Sequence, residues 1–321
     1  MNGQSRLLEG KKFFFLVGAP RSGTTWLQLL LTRSPNVVSS IETHLFSSYL
    51  SPLFVTWNKF QLHGARNFTG LHHLLTEAEF HNIIRTVAIE VFAKVAEQKS
   101  EAVAILDKTP DQALSGKEIL AIFPDARFIH IVRDPRAAVS SLLAASETWA
   151  ADWAPKNVIA ATEHWKLYVN RARSIKARTS NYYELTYRDL FNDGPETLRR
   201  LFHWMEIEVT LEECSHYFEQ CRIEKLRSGE LKDAPWNIAA TDTRNYFRVG
   251  RIDQWRSELS QRQVMTIELL TDDLMAELGF QRSKISAHLS LLSPAIKAAI
   301  AVRQALRWRL DVLGKKLTKV Q

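Results

Sequence analysis

Short apolar runs alternate with amphipathic stretches over the first two thirds of the chain. The apolar runs are rich in β-branched and aromatic residues and end in polar clusters, a pattern typical of buried strands. The predicted strands are 13–17, 102–106, 127–132 and 182–187. Segments 80–99 and 157–178 instead repeat their apolar residues at the helical period. Strands separated by helices predict a three-layer α/β/α fold, in which helices cover both faces of a central parallel sheet.

Two aromatic-rich segments interrupt this alternation. Residues 45–75 are rich in aromatic residues and histidine, and residues 146–156 include Trp149 and Trp153. We expect both segments to form helical caps over the sheet. Because ligand pockets are commonly built from insertions at the carboxyl ends of parallel strands, the same aromatic side chains are candidates for an acceptor pocket.

Composition and charge divide the chain into two parts. With 45% hydrophobic and 24% charged residues, the 321-residue chain has the make-up of a globular protein rather than a disordered or collagen-like one. Residues 285–321 carry seven Lys or Arg residues and one acid, Asp311, and account for +6 of the net charge of +7. The remaining chain is nearly neutral, which argues against a nucleic-acid binder. We expect a main domain at 1–284 and a basic tail at 285–321.

The basic tail repeats its apolar residues at helical spacing over 292–317, which predicts an amphipathic helix. Two interpretations of this helix remain open. In the first, it docks on the main domain and exposes a cationic side. In the second, it makes peripheral contact with an anionic membrane or binds an acidic carrier protein.

Hydropathy and cysteine content favour a cytoplasmic location. No run reaches the roughly 18 apolar residues needed to cross a bilayer, and the apolar segment 13–19 is too short for a cleavable signal. Cys214 and Cys221 would lie about 10 Å apart in a helix, too far to form a disulfide. A reducing compartment is the simplest expectation.

Segment 18–25, between the first predicted strand and a helical stretch, has the frame of a phosphate-binding loop. Its glycines allow backbone N–H groups at a helix N-terminus to surround an anion. A loop that binds nucleoside triphosphates has lysine directly after the second glycine, where this chain has Thr24. The cation stands inside the loop instead, at Arg21. This arrangement suits a shorter phosphate group whose charge is neutralised from another side.

Residues 20–26, with the sequence PRSGTTW, resemble the first signature of the sulfotransferases that use 3′-phosphoadenosine 5′-phosphosulfate (PAPS). The arginine form is similar to bacterial and to carbohydrate- or protein-sulfating members. The resemblance implies that Arg21 contacts the bridging region of the phosphosulfate and that Trp26 lies near the adenine. The residues that it implies for the 5′-phosphate are Ser22, Gly23, Thr24 and Thr25.

A second part of the family resemblance follows predicted strand 127–132. Proline at position 135, behind Asp134, favours the start of a helix. In the family, an arginine at the strand end and a serine eight residues later bind the 3′-phosphate. Arg133 and Ser141 have this spacing, so the resemblance assigns them that role.

Residues 246–251, with the sequence YFRVGR, resemble the C-terminal cofactor loop of the family. The resemblance implies that Arg248 reaches the 3′-phosphate, with help from the backbone of Val249 and Gly250. Cytosolic members have lysine in place of Val249, so only its main chain is expected to contribute. Tyr187 resembles the tyrosine that touches the adenine, and a core tyrosine at a strand end is the alternative.

The general base has two candidates. The resemblance makes Lys108 a contact to the sulfonate or the bridging oxygen, but the family's cytosolic members have a catalytic histidine where this chain has Pro110. Several bacterial and Golgi-type relatives use a glutamate after the second strand, which points to Glu42. A free glutamate is a weak base, so Glu42 must be buried to serve. His44 is the alternative base, and otherwise it positions the acceptor.

These features predict a PAPS-dependent sulfotransferase. It would transfer the sulfuryl group to a hydroxyl of a small-molecule, lipid or carbohydrate acceptor and release adenosine 3′,5′-bisphosphate (PAP). Because such a transfer depends on positioning and charge stabilisation, Arg and Lys can replace a metal, and none is expected. Two other functions remain open: a P-loop kinase or nucleotidase that uses ATP with Mg²⁺, and a non-catalytic, membrane-associated nucleotide binder.

Overall fold

A parallel sheet forms the centre of the protein, for which a computed structural model describes residues 7–63, 69–228, 247 and 250–283. In these residues five strands pair in the order β2-β3-β1-β4-β5, all in parallel. The strands are β1 (Lys12–Val17), β2 (Val37–Ser39), β3 (Ala104–Lys108), β4 (Arg127–Val132) and β5 (Tyr182–Thr186). In the central strand β1, Leu16 lies opposite Lys108 of β3 and Ile129 of β4.

Helices connect the strands and continue after the sheet is complete. The α-helices are α1 (Thr24–Thr32), α2 (Ser51–His63), α3 (Glu77–Ala96), α4 (Gly116–Ile122), α5 (Pro135–Ser146), α6 (Val158–Lys176), α7 (Tyr187–Asn192), α8 (Gly194–Trp204), α9 (Leu211–Gln220), α10 (Ile223–Ser228), α11 (Trp255–Glu258), α12 (Gln261–Leu270) and α13 (Asp272–Glu277). A π-helical turn covers Leu45–Leu50, and 3₁₀ turns cover Leu71–His73, Glu97–Lys99 and Pro110–Ser115.

Both faces of the sheet are buried, as the apolar runs of the strands require. Phe15 and Val17 of β1 belong to a core with α3, α5 and α6, whereas Phe14 and Leu16 belong to a core with α1, α8 and α9. Successive side chains of a strand point to opposite faces, so one short run supplies both cores. The predicted three-layer α/β/α fold is confirmed.

The fold brings the polar ends of four strands to one edge. Strand β1 lies between β3 and β4. The chain places β2 and β3 on one side of β1 and then crosses to place β4 and β5 on the other side, so the strand order reverses beside β1. In open parallel sheets, ligands bind at such a reversal, outside the carboxyl ends of the strands. The loops after β1, β2, β3 and β4 carry the site residues that the sequence predicts.

Of the two predicted caps, the first is helical over residues 45–63 and 71–73, and the second is not helical. Residues 45–63 form the π-helical turn and α2, but residues 147–157 form a series of turns between α5 and α6. Pro155 has no backbone N–H to donate within a helix. Asn157 caps α6, because its side chain accepts a hydrogen bond from the Ala160 N–H at 3.0 Å. The helical prediction was therefore wrong for this segment.

The described residues also bear on the cysteines, the membrane and the tail. Cys214 and Cys221 are both buried and form no disulfide.

Within the described ranges, no helix has the length and apolar character needed to cross a bilayer. The predicted tail, 285–321, lies outside the described residues, and the proposed domain boundary stays a prediction.

Candidate active site

The loop after β1 has a shape that suits an anion. Its backbone turns through left-handed conformations at Arg21, with φ of 70°, and at Gly23, with φ of 98°. Helix α1 begins at Thr24, and Gly23 supplies no side chain to cap its first N–H groups. The Ser22 Oγ atom is buried and lacks a hydrogen-bond partner among the described residues. The N–H groups at a helix start without a side-chain cap, together with an unsatisfied hydroxyl, can bind a phosphate.

Arg21 is positioned by two later segments of the chain. Its Nε donates to Ser141 Oγ of α5 at 3.2 Å. The guanidinium carbon lies 5.3 Å from the centre of the Trp149 ring, within cation–π range. The predicted loop cation and the predicted 3′-phosphate serine thus meet directly.

Arg133 joins the loop to the side of the site that was predicted for adenine. Its Nη1 donates to the Arg21 carbonyl at 3.0 Å, and its Nη2 donates to the Arg251 carbonyl at 2.8 Å. The guanidinium lies over the Tyr187 ring, 4.4 Å from its centre. Tyr187 in turn donates its hydroxyl to the Gly250 carbonyl at 2.8 Å, and burial raises the pKa of this phenol. The 18–23 loop, β4 and the 250–251 segment therefore meet around one guanidinium.

Trp26 completes this aromatic side of the site. Its Nε1 donates to the Cys221 carbonyl at 3.0 Å, and its ring centre lies 5.5 Å from that of Tyr187. Gly23 lies against the same tyrosine, because a Cβ at this position would be only 2.5 Å from Tyr187 Cδ2. Trp26 and Tyr187 both line one cavity beside the loop.

The predicted lysine and glutamate form an ion pair beside the loop. Lys108 Nζ donates to Glu42 Oε1 and lies 3.3 Å from Thr25 Oγ1. The lysine side chain is 3% exposed, but that of Glu42 is 34% exposed. The expected burial of Glu42 is therefore incomplete, because the 40–44 segment lies at the open edge of the sheet.

His44 lies between two carboxylates. Its Nε2 is 3.7 Å from Glu42 Oε2, and its Nδ1 is 3.4 Å from Asp111 Oδ2. The backbone of His44 is left-handed, with φ of 48°, at the start of the π-helical turn. Strained backbone of this kind is found disproportionately at functional sites.

A buried aspartate holds the Glu42 loop against the end of β3. Asp107 accepts hydrogen bonds from Thr43 Oγ1 at 2.8 Å, Thr109 Oγ1 at 2.8 Å and Gln112 Nε2 at 3.0 Å. Burial raises the pKa of Asp107, although these three hydrogen bonds oppose the shift. This network sets the position of the segment that carries both base candidates.

The sequence interpretation missed three polar residues of the site. Asp111 follows β3, and it accepts a hydrogen bond from the Tyr168 hydroxyl of α6. The Tyr168 ring lies 4.7 Å from that of His164, one helical turn earlier. Asp111 could have been noticed as the third residue after Lys108. The i,i+4 spacing of His164 and Tyr168 carries no such signal, since it is equally typical of a core-facing helix.

These residues enclose a cavity of about 580 Å³. The predicted site residues that line it are Arg21, Gly23, Thr24, Thr25, Trp26, Glu42, His44, Arg133, Ser141, Tyr187 and Gly250. Lys108 and Ser22 lie in the layer beneath, at 3% and 0% exposure. Arg248 and Val249 lie outside the described residues, so their predicted contacts stay predictions.

A family model described as "Sulfotransferase family" matches residues 14–211, which is more than half of the chain. The chain belongs to the sulfotransferase family. The match extends from β1 to the start of α9, and includes the loop, Glu42, Lys108, Arg133 and Tyr187. The family resemblance inferred from the sequence is confirmed.

Solved sulfotransferase structures share the fold. The sulfotransferase domain of the Synechococcus PCC 7002 olefin synthase is 19% identical, with a TM-score of 0.53 over 85% of this chain and 96% of that domain. The sulfotransferase domain of the curacin biosynthetic pathway is 16% identical, with a TM-score of 0.56 over 85% of this chain and 99% of that domain.

Curated relatives match this chain either over a short stretch or over a long stretch at lower identity. The protein-tyrosine sulfotransferase of Drosophila melanogaster is 30% identical over 135 residues, 42% of this chain and 26% of that protein. Cytosolic sulfotransferase 15 of Arabidopsis thaliana is 25% identical over 276 residues, 82% of this chain and 72% of that protein. The match thus spans less than half the length of the protein-tyrosine sulfotransferases.

Proposed function

We propose that this protein transfers the sulfuryl group of PAPS to a hydroxyl acceptor and releases PAP. PAPS, when bound, supplies the activated sulfuryl group. The observation that carries the proposal is the convergence of Arg21, Arg133 and Lys108, from three different strand ends, on one glycine loop, with Arg21 and Arg133 lining the cavity beside it. Three cations around a loop that lacks the triphosphate lysine suit a donor with two separate phosphate groups.

Residues of the loop and of α5 would hold the anionic groups of the donor. The first N–H groups of α1 and the unsatisfied Ser22 hydroxyl fit the 5′-phosphate, with Thr24 and Thr25 beside them. Arg133 and Ser141 fit the 3′-phosphate by the family pattern, and they already meet through Arg21. The expected contribution of Arg248 to this phosphate is part of the proposal.

Aromatic side chains of the cavity would hold the adenine. Trp26 and Tyr187 lie 5.5 Å apart on one wall, and Phe247 lines the same cavity. Hydrogen bonds hold two of these rings, because the Trp26 indole donates to the Cys221 carbonyl and the Tyr187 hydroxyl donates to the Gly250 carbonyl. A preformed aromatic wall reduces the ordering cost of binding a flat base.

Glu42, whose burial a bound acceptor would complete, is the proposed general base and takes the proton of the acceptor hydroxyl. Its Oε1 is held by Lys108, while its Oε2 faces His44 beyond hydrogen-bond distance, so we assign the incoming proton to Oε2. Lys108 stabilises the charge that develops on the bridging oxygen. His44, between Glu42 and Asp111, positions the acceptor hydroxyl.

We also propose that the reaction needs no metal and that the protein is cytoplasmic. The basic tail is proposed to contact an anionic membrane or an acidic carrier protein. In the described part of the chain, no set of three His, Cys, Asp or Glu side chains is arranged to hold a metal ion. The charge of residues 285–321 supports contact with an anionic membrane or an acidic carrier protein. Truncation before Ser293 tests this, because liposome binding that survives truncation would exclude the membrane contact.

Calorimetric titration with PAP in EDTA tests the donor site without an acceptor. We expect tight binding of PAP without metal and little binding of ATP with Mg²⁺. Arg133→Leu should weaken PAP binding about tenfold or more, since charge-assisted contacts to phosphate are lost. Arg199→Leu, at an exposed arginine of α8 paired with Glu196, is the matched control and should bind normally. Binding of ATP with Mg²⁺ but not of PAP would refute the proposal and favour a kinase.

A further inference from the structure

The acceptor side of the cavity has a polar wall formed by His44, Asp111, His164 and Tyr168. The four side chains are contiguous through the 3.4 Å approach of His44 to Asp111, the Tyr168 hydrogen bond to Asp111, and the 4.7 Å ring contact of Tyr168 with His164. Glu42, the proposed base, adjoins the His44 end of this wall. A reacting hydroxyl at Glu42 therefore places the rest of the acceptor along the polar wall.

His164 leaves one polar atom of this wall unsatisfied. Its Nε2 is buried and has no hydrogen-bond partner within the described ranges, although the side chain lines the cavity. Buried polar atoms nearly always have a partner, because leaving one unsatisfied costs free energy. Because the His164 ring lines the cavity while Nε2 itself is covered, a turn of the ring toward a bound molecule would let that molecule complete the hydrogen bond.

The chemistry of the polar wall selects the group that fits there. Burial lowers the pKa of His164, so the imidazole is neutral near pH 7 and its Nε2 either donates or accepts. A hydroxyl can do both, and it can also donate to Asp111. An anionic group would be repelled by the carboxylates of Asp111 and Glu42, and a hydrocarbon would desolvate them without compensation.

We propose that His164 and Asp111 form a subsite for a second hydroxyl of the acceptor, so that this sulfotransferase prefers diols or polyols to acceptors with one hydroxyl. The inference rests on the proposed function, because the first hydroxyl is the one that Glu42 deprotonates. Tyr168 serves the subsite as a positioning residue: its hydroxyl occupies Asp111 Oδ1 and orients the carboxylate. With the second hydroxyl bound there, the acceptor is held in one orientation about its reacting hydroxyl.

Two probes that share a six-membered carbon ring test the subsite. Cyclohexanol has one hydroxyl and myo-inositol has one on every ring carbon, so the position of the second hydroxyl need not be known. Transfer of sulfur-35 from PAPS gives kcat/KM for each. We expect wild-type kcat/KM to be at least about tenfold higher for myo-inositol. His164→Phe keeps an aromatic ring and should raise the KM for myo-inositol about tenfold, so that the ratio of kcat/KM for myo-inositol to that for cyclohexanol falls close to one.

Asn170→Ala, at an exposed position of the same helix, is the matched control and should keep the wild-type preference. The inference is overturned by an equal or higher kcat/KM for cyclohexanol, by transfer to neither probe, or by a His164→Phe variant that retains the preference. PAP titration of the same samples separates the two proposals. PAP binding without the expected preference refutes the subsite alone, whereas a wild-type protein that does not bind PAP refutes the proposed function.

Discussion

Replacement of Gly23 by alanine tests whether the shape of the loop, in addition to its charges, creates the donor site. Gly23 has φ of 98°, where an L-residue with a Cβ pays about 1–2 kcal/mol. The added Cβ would lie 2.5 Å from Tyr187 Cδ2 and 2.9 Å from Tyr187 Cε2. Contacts this short force the ring or the loop to move.

The tyrosine ring cannot move without breaking other contacts of the site. Its hydroxyl donates to the Gly250 carbonyl at 2.8 Å, and Arg133 lies 4.4 Å above the ring. Overpacking of a well-packed site costs about 1–3 kcal/mol, so the backbone and steric costs together amount to about 2–5 kcal/mol of unfolding free energy. If the loop relaxes in the free protein and PAP pushes it back, the steric part appears as a loss of PAP affinity of about 5- to 150-fold.

Urea unfolding and calorimetric PAP titration measure these two quantities. Gly279→Ala is the matched control, because Gly279 also has positive φ, 71°, but its Cβ would meet nothing within 4 Å. We expect Gly279→Ala to lose only the backbone cost, about 1–2 kcal/mol, and to bind PAP as the wild type does. If Gly23→Ala binds PAP normally and is no less stable than Gly279→Ala, the packing of Tyr187 against the loop does not shape the site.

Two further predictions concern the base and the pH dependence of stability. Glu42→Gln should lower kcat about 10²- to 10⁴-fold while PAP affinity changes little, because glutamine still accepts from Lys108 but cannot take a proton. His44→Ala should lower kcat less, and the opposite order would assign the base to His44. Burial lowers the pKa of His130, so the unfolded chain binds a proton that the native protein does not, and the unfolding free energy should fall as the pH drops below about 6.5. Urea unfolding at about pH 7.5 and about pH 5.5 should show a smaller difference for His130→Gln, and an equal difference would contradict the assignment.

Much of the donor half of the site could be predicted from contiguous residues. The glycine loop and the Thr-Thr-Trp start of α1 follow one short strand, and Arg133 follows another, so each unit is defined within about ten residues. Parallel strands end at the same edge, which is why residues from separate segments converge there. The predicted cap at 146–156 shows the limit of pattern alone, since its aromatic content suggested a helix although Pro155 has no backbone N–H to donate within one.

The acceptor half depended on contacts that no local pattern encodes. The hydrogen bond between Thr43 and Asp107 joins residues 64 positions apart, and that between Tyr168 and Asp111 joins residues 57 positions apart. Their meeting depends on the placement of β3 between β2 and β1 and on the return of α6 over the sheet. The sequence by itself therefore determined the fold class, the loop and its cations, because local spacing and strand ends are sufficient for these. Only the tertiary structure decided that Glu42 stays partly exposed and that His164 and Asp111 lie on one wall, because side chains from distant segments become neighbours through strand order and helix packing.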